Sequence, residues 1–585
     1  MGGDVNAIGH TKERGRRQCQ GIEEREMRIV IVGSFGSQGD PQYRVHQPAA
    51  ALAALPGVEV FEVHPEASAC DVVALAADVL VLTMTLDVEA LRLMRQRRLL
   101  GRPTVVELND YLPDVQSWNP AAATWQDSRG KALFQALLQA CDGCQFSSEG
   151  LAERLADQTR RSAVFVNHLS AIPPPRPLAQ VDPGSPVTIG WGGSIGHRDD
   201  LRSIAPALLD WLPRHPQVRL ALMTDPLLAE PFEGLPAGQW QLHRPGSLQD
   251  YLHWLQTLDI GVAPLLPSDY NACRSDVKFL EYAAAGVVPV LQNHGPYRYL
   301  AEQGVAPAFS SPEELVQILE QLVQNMDLRQ HWSRKVYRFV SEERRLNRHI
   351  QDRADFYRQM RAACVAPPGP LPALLAQQAE RPLEALVGWQ RLAAQHWRLD
   401  LTTPAEQERQ AAITAMQRGD GVQAERRFRL ALQHDSADHH SLSFLALLLR
   451  QRGDHQLALQ CFRRAHALAP LALRPRRGLE HPHRAELQRG QELAQQGEVD
   501  TAIEIYRSIL RQHRSHSGAL LRLAAILQRQ GRLSLARACL ERLLQAHPDH
   551  ARGHRCMAAL LDSVGDEVGA AAARKRAQVL DPSQA

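Results

Sequence analysis

Five glycines in the last third of the chain, Gly419, Gly453, Gly497, Gly531 and Gly565, are spaced 34, 44, 34 and 34 residues apart. Five residues after each comes an alanine (Ala424, Ala458, Ala502, Ala536, Ala570), and nine after come Phe428, Phe462, Tyr506, Leu540 and Arg574 in turn. Pro470, Pro548 and Pro582 stand seventeen residues after their glycines. A unit of this length, with small, large and helix-stopping positions, cannot bury its apolar face alone, and stacked neighbours must supply the core. From Pro404 onward the pattern predicts an all-α solenoid of helix pairs. Glycine ends the first helix of a pair, alanine lets the second approach, and the aromatic fills the seam. Arg574 breaks the aromatic series, as an end-capping unit can. The longer interval holds Leu473-Arg474-Pro475-Arg476-Arg477-Gly478, expected to be an exposed basic loop between two repeat blocks.

The first half reads differently. Apolar, β-branched runs at Met27–Gly33, Val58–Val63, Asp78–Thr83 and Thr104–Leu108 alternate with helical segments, including one from about Arg44 to Leu55. A second series begins near Pro186, with Val187–Gly190, Arg219–Met223 and Ile260–Ala263. Strands alternating with helices predict parallel sheets, here two Rossmann-like α/β domains. Small residues follow the first strand of each: Gly33-Ser34-Phe35-Gly36-Ser37-Gln38-Gly39, and Trp191-Gly192-Gly193-Ser194-Ile195-Gly196-His197-Arg198. The first is not the Gly-x-Gly-x-x-Gly of dinucleotide enzymes. Such loops at strand carboxyl ends suit a phosphate nest or an acceptor. Gly192, Gly193, Ser194 and His197 are therefore expected near a phosphorylated ligand, and Gly36 and Ser37 at the facing side of the cleft.

The most informative segment is Arg274-Ser275-Asp276-Val277-Lys278-Phe279-Leu280-Glu281-Tyr282, ending in Gly286 and followed by the strand Val287–Val290. Ser275 or Asp276 can cap the short helix. Lys278 and Glu281 lie three apart and share one face near its start. A helix N-terminus attracts anions, lysine adds a full charge, and a carboxylate can accept hydrogen bonds from sugar hydroxyls. The combination suits a nucleoside diphosphate. The plainer alternative is an ion pair on a surface helix.

With Asp259-Ile260-Gly261-Val262-Ala263-Pro264 before it and Asn293-His294-Gly295-Pro296 after it, this block resembles the donor half of the retaining GT-B glycosyltransferases of family 4. The resemblance covers about residues 27–360. It implies Glu281 as ribose ligand and Lys278 with Arg274 as diphosphate contacts. Tyr43-Arg44-Val45 and Glu107-Leu108-Asn109-Asp110-Tyr111 also resemble a branch of that family, implying Arg44, Asn109 and Asp110 at the cleft. Many members carry a second Glu eight residues before the first, where this chain has Cys273, and a cleft His where it has Asn109. The repeats match the tetratricopeptide pattern, whose concave faces commonly bind peptides or proteins.

The domain organisation read from the sequence is a disordered extension (1–26), an acceptor-side domain (27–180), a donor domain (181–345), a crossover helix (346–362), a semi-rigid linker (363–403) around Pro367-Pro368-Gly369-Pro370, and repeats (404–585). A net charge of +2 gives no sign of nucleic acid. No apolar run approaches the roughly 18–20 residues that span a bilayer, so membrane contact is peripheral at most. Nine scattered cysteines do not form a disulfide framework and fit a cytoplasmic protein. The lone Cys141-Asp-Gly-Cys144 and the pairs His439-His440 and His481-Pro-His483 are weak metal or redox signals.

The expected function is hexosyl transfer from a UDP- or GDP-linked sugar to a glycan, lipid-linked or protein acceptor, as in polysaccharide biosynthesis. Lys278, Arg274 and Asp110 would act at the reacting centre, and Glu281, Ser275, Gly192, Gly193, Ser194 and His197 would hold the donor. No cofactor or metal is expected, and the repeats would recruit a protein partner or the acceptor. The alternatives are a catalytically inactive scaffold, supported by Cys273 and Asn109, and another nucleotide-sugar enzyme such as an epimerase.

Overall fold

The computed structural model describes residues 27–33, 39–65, 67, 70–174, 185–380 and 403–581. The expected extension (1–26), Gly36 and Ser37, Pro582, and residues 381–402 of the expected linker lie outside the described residues.

Strands β1 (Met27–Val32), β2 (Val58–Val63), β3 (Val79–Thr83), β4 (Thr104–Leu108), β5 (Gly143–Phe146) and β6 (Ser162–Val164) form one parallel sheet in the order β2-β1-β3-β4-β5-β6. Helices α1 (Gln47–Ala53) and α2 (Val88–Leu99) belong to this domain. The chain enters α1 through a π-helical turn at Gln42–His46, all five residues buried, where the sequence suggested a helix from Arg44. Strands β7 (Val187–Gly192), β8 (Val218–Met223), β9 (Trp240–His243), β10 (Ile260–Ala263), β11 (Val288–Gln292) and β12 (Ala308–Phe309) form a second parallel sheet, ordered β12-β11-β10-β7-β8-β9. Its helices include α3 (Arg198–Trp211) and α4 (Val277–Ala284). Helices cover both faces of each sheet, which is why the strands are almost continuously apolar. Strand order reverses at β1/β3 and at β7/β10, and crevices for ligands open at such points.

Helix α5 (Leu346–Ala363) crosses back to the first domain and buries Ile350, Ala354 and Tyr357 among residues of β1 and β3. The crossing is fixed by two backbone hydrogen bonds, Leu169 N to Arg344 O at 2.9 Å and Leu346 N to Leu169 O at 3.0 Å. Among the described residues no helix is long and apolar enough to cross a membrane.

The C-terminal part is built of helix pairs, the first Pro404–Gln417 with Gly421–His434 and the last Ala551–Ser563 with Glu567–Leu580. The five periodic glycines all take φ between 72° and 98° where first helices end, a left-handed conformation that costs side-chain-bearing residues roughly 1–2 kcal/mol. The five alanines are at most 2% exposed, packed in the seam as the spacing predicts. The expected basic loop is instead helix α6 (Leu473–Glu480), held by burial of Leu473, Pro475, Gly478 and Leu479. The expected linker is also partly docked. Arg576 donates to the carbonyls of Pro368 and Gly369 at 3.4 and 2.8 Å, and the helix Ala373–Ala379 buries Leu375 completely. The repeats pack against the first domain, whose core takes in Leu471 and Leu580. Arg92 of α2 pairs with Asp549 at 2.8 Å, and Glu89 accepts the Leu473 N–H at 3.2 Å.

Candidate active site

Helix α4 starts at the carboxyl ends of the second sheet, and Gly286, with φ 75°, ends its C-terminal turn. Neither expected residue caps its start. The Asp276 carboxylate instead accepts Arg344 Nη1 and Nη2 at 2.6 and 2.9 Å and the Tyr299 hydroxyl at 2.7 Å. Ser275 Oγ accepts Asn167 Nδ2 of the first domain at 3.2 Å. The first turn of α4 is left without a side-chain cap, and an uncapped helix start favours an anion.

Lys278 and Glu281 are 7% and 6% exposed, so they are not an ion pair on a surface helix. Lys278 Nζ donates to the carbonyl of Gly192 and lies 5.5 Å from the centre of the Trp191 ring. Glu281 Oε1 accepts the Tyr43 hydroxyl from across the cleft at 3.0 Å. Burial pushes the lysine down and the carboxyl up, each toward neutrality, while their mutual attraction opposes both shifts.

Arg274 stacks 5.3 Å from the Tyr270 ring centre, with Nε 3.8 Å from Asp110 Oδ1 of the first domain. Its Nη1 is buried without a hydrogen-bond partner among the described residues. Burial opposes its charge, but Tyr270, Asp110 and Asp200 together hold it firmly protonated. His197 is pushed down to about 3 by burial and by the neighbouring Arg274 and Lys278. It is therefore neutral, and Nδ1–H donates to Asp200 Oδ2 at 2.9 Å, which leaves Nε2 as an acceptor. Asp200 also accepts from Asn271 Nδ2 at 2.8 Å and Leu266 N at 2.9 Å. Burial raises Asp200, but the hydrogen bonds from His197 and Leu266 hold it below the usual carboxylate range.

The glycine segment departs from the expected nest. β7 runs on through Gly192, and Gly193 spends its N–H on Met223 O at 3.2 Å and its carbonyl on Thr224 Oγ1 at 2.8 Å. A Cβ on Gly192 would fall 2.6 Å from the Tyr251 ring, so a close approach, not phosphate cradling, explains that glycine. Ser194 is exposed and precedes the turn Ile195–His197. Arg44, expected at the cleft, is 2% exposed and consumed internally, with Nε on Glu107 at 2.7 Å and Nη1 on Phe165 O and Asn167 Oδ1 at 2.7 and 2.9 Å. It positions Asn167, which reaches Ser275. Asn109 is half-buried and its side-chain oxygen has no partner among the described residues. Cys273 is 2% exposed at the domain interface, its carbonyl accepting Ser148 Oγ at 2.7 Å. Burial pushes its thiol up to about 11. Cys141 and Cys144 are fully buried thiols 3.7 Å apart, part of the first domain's core.

Spacing gave no warning of several participants. Tyr43, Asp200 and Asn167 reach the site from elements far away in sequence, and only Tyr43 lay inside a noticed motif. Beyond Glu281 opens a cavity of about 560 Å³ between the domains, lined by Tyr43, Leu169, Ser247, His253 and Gln256 among others. Trp191 Nε1, Trp254 Nε1, Thr83 Oγ1, Asn109 Oδ1 and Arg274 Nη1 are all buried without partners among the described residues. Buried polar atoms are normally satisfied, and such orphans also occur elsewhere in the chain, so the one that bears on the candidate site is Arg274 Nη1, beside the start of α4.

Asp110 carries a testable electrostatic load. Burial, with Asp40 adding to it, pushes its carboxyl up to about 6 although Arg274 pulls it down. A raised value in the folded protein means that its contribution to stability is full below the ordinary range near 3.9 and is lost as pH rises through about 6. Asp110→Asn is therefore expected to be more stable than the parent at pH 7.5 by roughly 1–2 kcal/mol, a figure kept low because the side chain is 21% exposed. The two should converge at pH 4, as denaturant unfolding at both pH values will show.

The family model for tetratricopeptide repeats matches residues 493–560. No curated protein matches the chain. Among solved structures it is similar to Anabaena HepE in complex with UDP and glucose, at 15% identity over 57% of this chain and 100% of that one, TM-score 0.42. It is also similar to sucrose-phosphate synthase from Thermosynechococcus elongatus, at 13% identity over 58% and 100%, TM-score 0.44. MamA from Desulfovibrio magneticus RS-1 is similar over 31% of this chain and 98% of its own, at 17% identity and TM-score 0.16. By its own sheets and helix pairs, the chain joins two Rossmann-like domains facing across a cleft, the GT-B architecture, to a C-terminal array of tetratricopeptide repeats.

Proposed function

We propose that the chain is a retaining glycosyltransferase that moves a hexose from a UDP- or GDP-linked donor to a glycan, lipid-linked or protein acceptor in the cytoplasm, with the repeats recruiting a partner or the acceptor. The observation that carries this reading is the convergence of one buried and one half-buried cation on one uncapped helix start. Lys278 and Arg274, the latter with an unpartnered nitrogen, stand there one turn from the Glu281 carboxylate. The diphosphate takes the cations and the first turn of α4. The ribose hydroxyls take Glu281, which Tyr43 orients, and the nucleoside extends into the 560 Å³ cavity. Neutral His197 offers Nε2 to a donor hydroxyl, and Asp110 and Asn109 face the acceptor from the other domain. Catalysis is positioning and charge stabilisation, with the two cations in place of a metal.

Thermal unfolding with UDP, GDP, ADP and their sugars tests the site. A ligand at 100 times its Kd adds about 2.7 kcal/mol of stability. Glu281→Gln is expected to weaken the binding of that nucleotide by about 1.5–3 kcal/mol, the range for hydrogen bonds to a charged group. An unchanged affinity would remove Glu281 from the site. A second reading, an inactive scaffold, draws on Cys273, which seats a buried thiol where many relatives carry a sugar-contacting carboxylate. No stabilisation by any of these nucleotides would favour it.

A further inference from the structure

The interval of 44 residues that breaks the 34-residue period builds something the regular repeats lack. Helix α6 and the turn His481–His483 are wedged between the helix His455–Leu468 and the helix Arg484–Gln495. Gly478 of α6 lies against the face of Phe462, where an added Cβ would fall 2.5 Å from the ring. Beside this contact opens a cavity of about 810 Å³, floored by Leu459, Phe462 and Pro482 and rimmed by Arg450 and Arg484. A smaller cavity of about 360 Å³ adjoins it through Arg450, Gly478 and His481 and adds Arg474 and Arg477.

The charge of the larger cavity is one-sided, since none of its lining residues is Asp or Glu, while the smaller one also takes in Glu89 of α2. Arg477 and Arg484 are exposed, and Arg450 and Arg474 lie 5.9 and 4.2 Å from the Phe462 and Phe444 rings. Several arginines elsewhere in the repeats are matched with carboxylates, as in Arg409 with Asp438, Arg427 with Glu408 and Arg574 with Asp562. With the whole chain at only +2, the cluster is a local excess rather than part of a basic protein. At the end of the array Arg576 donates to the carbonyls of Pro368 and Gly369, and Pro370-Leu371-Pro372 forms one wall of a cavity of about 400 Å³ with Leu544 and Arg576.

We propose that the groove between the helix His455–Leu468, α6 and the helix Arg484–Gln495 binds an acidic peptide segment of a partner protein. An apolar side chain of that segment sits on Phe462, and its carboxylates meet Arg450, Arg477 and Arg484. An apolar floor within a cationic rim favours such a segment over nucleic acid, whose evenly spaced phosphates call for a longer track of basic residues. The site is independent of the transferase reading, since nothing in it touches the cleft.

The test is selection of random dodecapeptides on the immobilised full chain, counter-selected on a variant carrying Arg450→Glu, Arg477→Glu and Arg484→Glu. Enriched peptides should combine Asp or Glu with a Leu, Ile or Phe anchor. Their Kd should rise at least about 10-fold in the triple variant and again when the anchor is changed to Ser, as expected for rim charges and a buried anchor. Arg511→Glu, on the exposed side of the neighbouring repeat, should leave binding unchanged, and circular dichroism should show the triple variant folded. Enriched peptides that are not acidic, or that bind the triple variant equally, would overturn the proposal. So would an oligodeoxynucleotide that displaces them and binds the groove more tightly, which would make it a polyanion site. Transfer activity is not read, so a chain inert as a transferase still gives a clear answer.

Discussion

Lys278→Ala, assayed with saturating nucleotide sugar in the presence of EDTA, is expected to lower the transfer rate roughly 100- to 1,000-fold, the effect of removing one preorganised group that stabilises developing charge. The expectation rests on where the ammonium is held. It is buried, tethered to the Gly192 carbonyl, and set over the Trp191 ring. Burial already pushes its pKa down to about 8, and a departing diphosphate would oppose that shift as negative charge builds up. The loss should fall mainly on kcat, because Arg274 and the start of α4 still bind the ground-state phosphates. Lys278→Arg should not rescue, since a planar guanidinium cannot replace a compact ammonium in that space. A variant with unchanged kcat would remove Lys278 from the reacting centre.

Arg344→Ala should destabilise the chain by about 3–5 kcal/mol in denaturant unfolding, the cost of leaving one partner of a buried pair uncompensated. Arg344 makes a two-pronged contact with Asp276 while donating to Asn167 O at 2.6 and 3.2 Å. Both side chains of the pair are nearly inaccessible, at 6% and 5% exposure. One side chain therefore fixes the start of α4, the crossing point at Leu169 and the first domain together. Hydrogen exchange at the Leu169 and Leu346 amides should accelerate in the variant. Arg344→Lys should recover only part of the loss, because it offers a single prong. A change below 1 kcal/mol would mean that the crossing is held by its backbone bonds alone.

The parts of this molecule legible in the sequence are those governed by short-range pattern. β4 at Thr104–Leu108 and the repeat seams follow from apolar runs and a fixed period. β9, Trp240–His243, alternates Trp-Gln-Leu-His over only four residues, too short a pattern to stand out, and is held by pairing with β8. In α6, Pro475 and Gly478 argue for a loop, yet burial of Leu473 and Leu479 and the contact on Phe462 outweigh their poor helix propensity. In the candidate site, the shared face of Lys278 and Glu281 was readable from a separation of three. Which side chains hold them was not, because Tyr43 lies 238 positions from Glu281 and Gly192 lies 86 from Lys278. The fate of Arg44 was equally hidden, since its charge is absorbed by Glu107, 63 residues away.

The attachment of the repeats to α2 and to the core of the first domain, through Arg92 with Asp549 and through Leu471 and Leu580, makes the join between solenoid and sheet a shared core rather than a flexible tether. A cut through this join would expose apolar surface on both sides, so neither piece is expected to be as stable alone as it is in the intact chain.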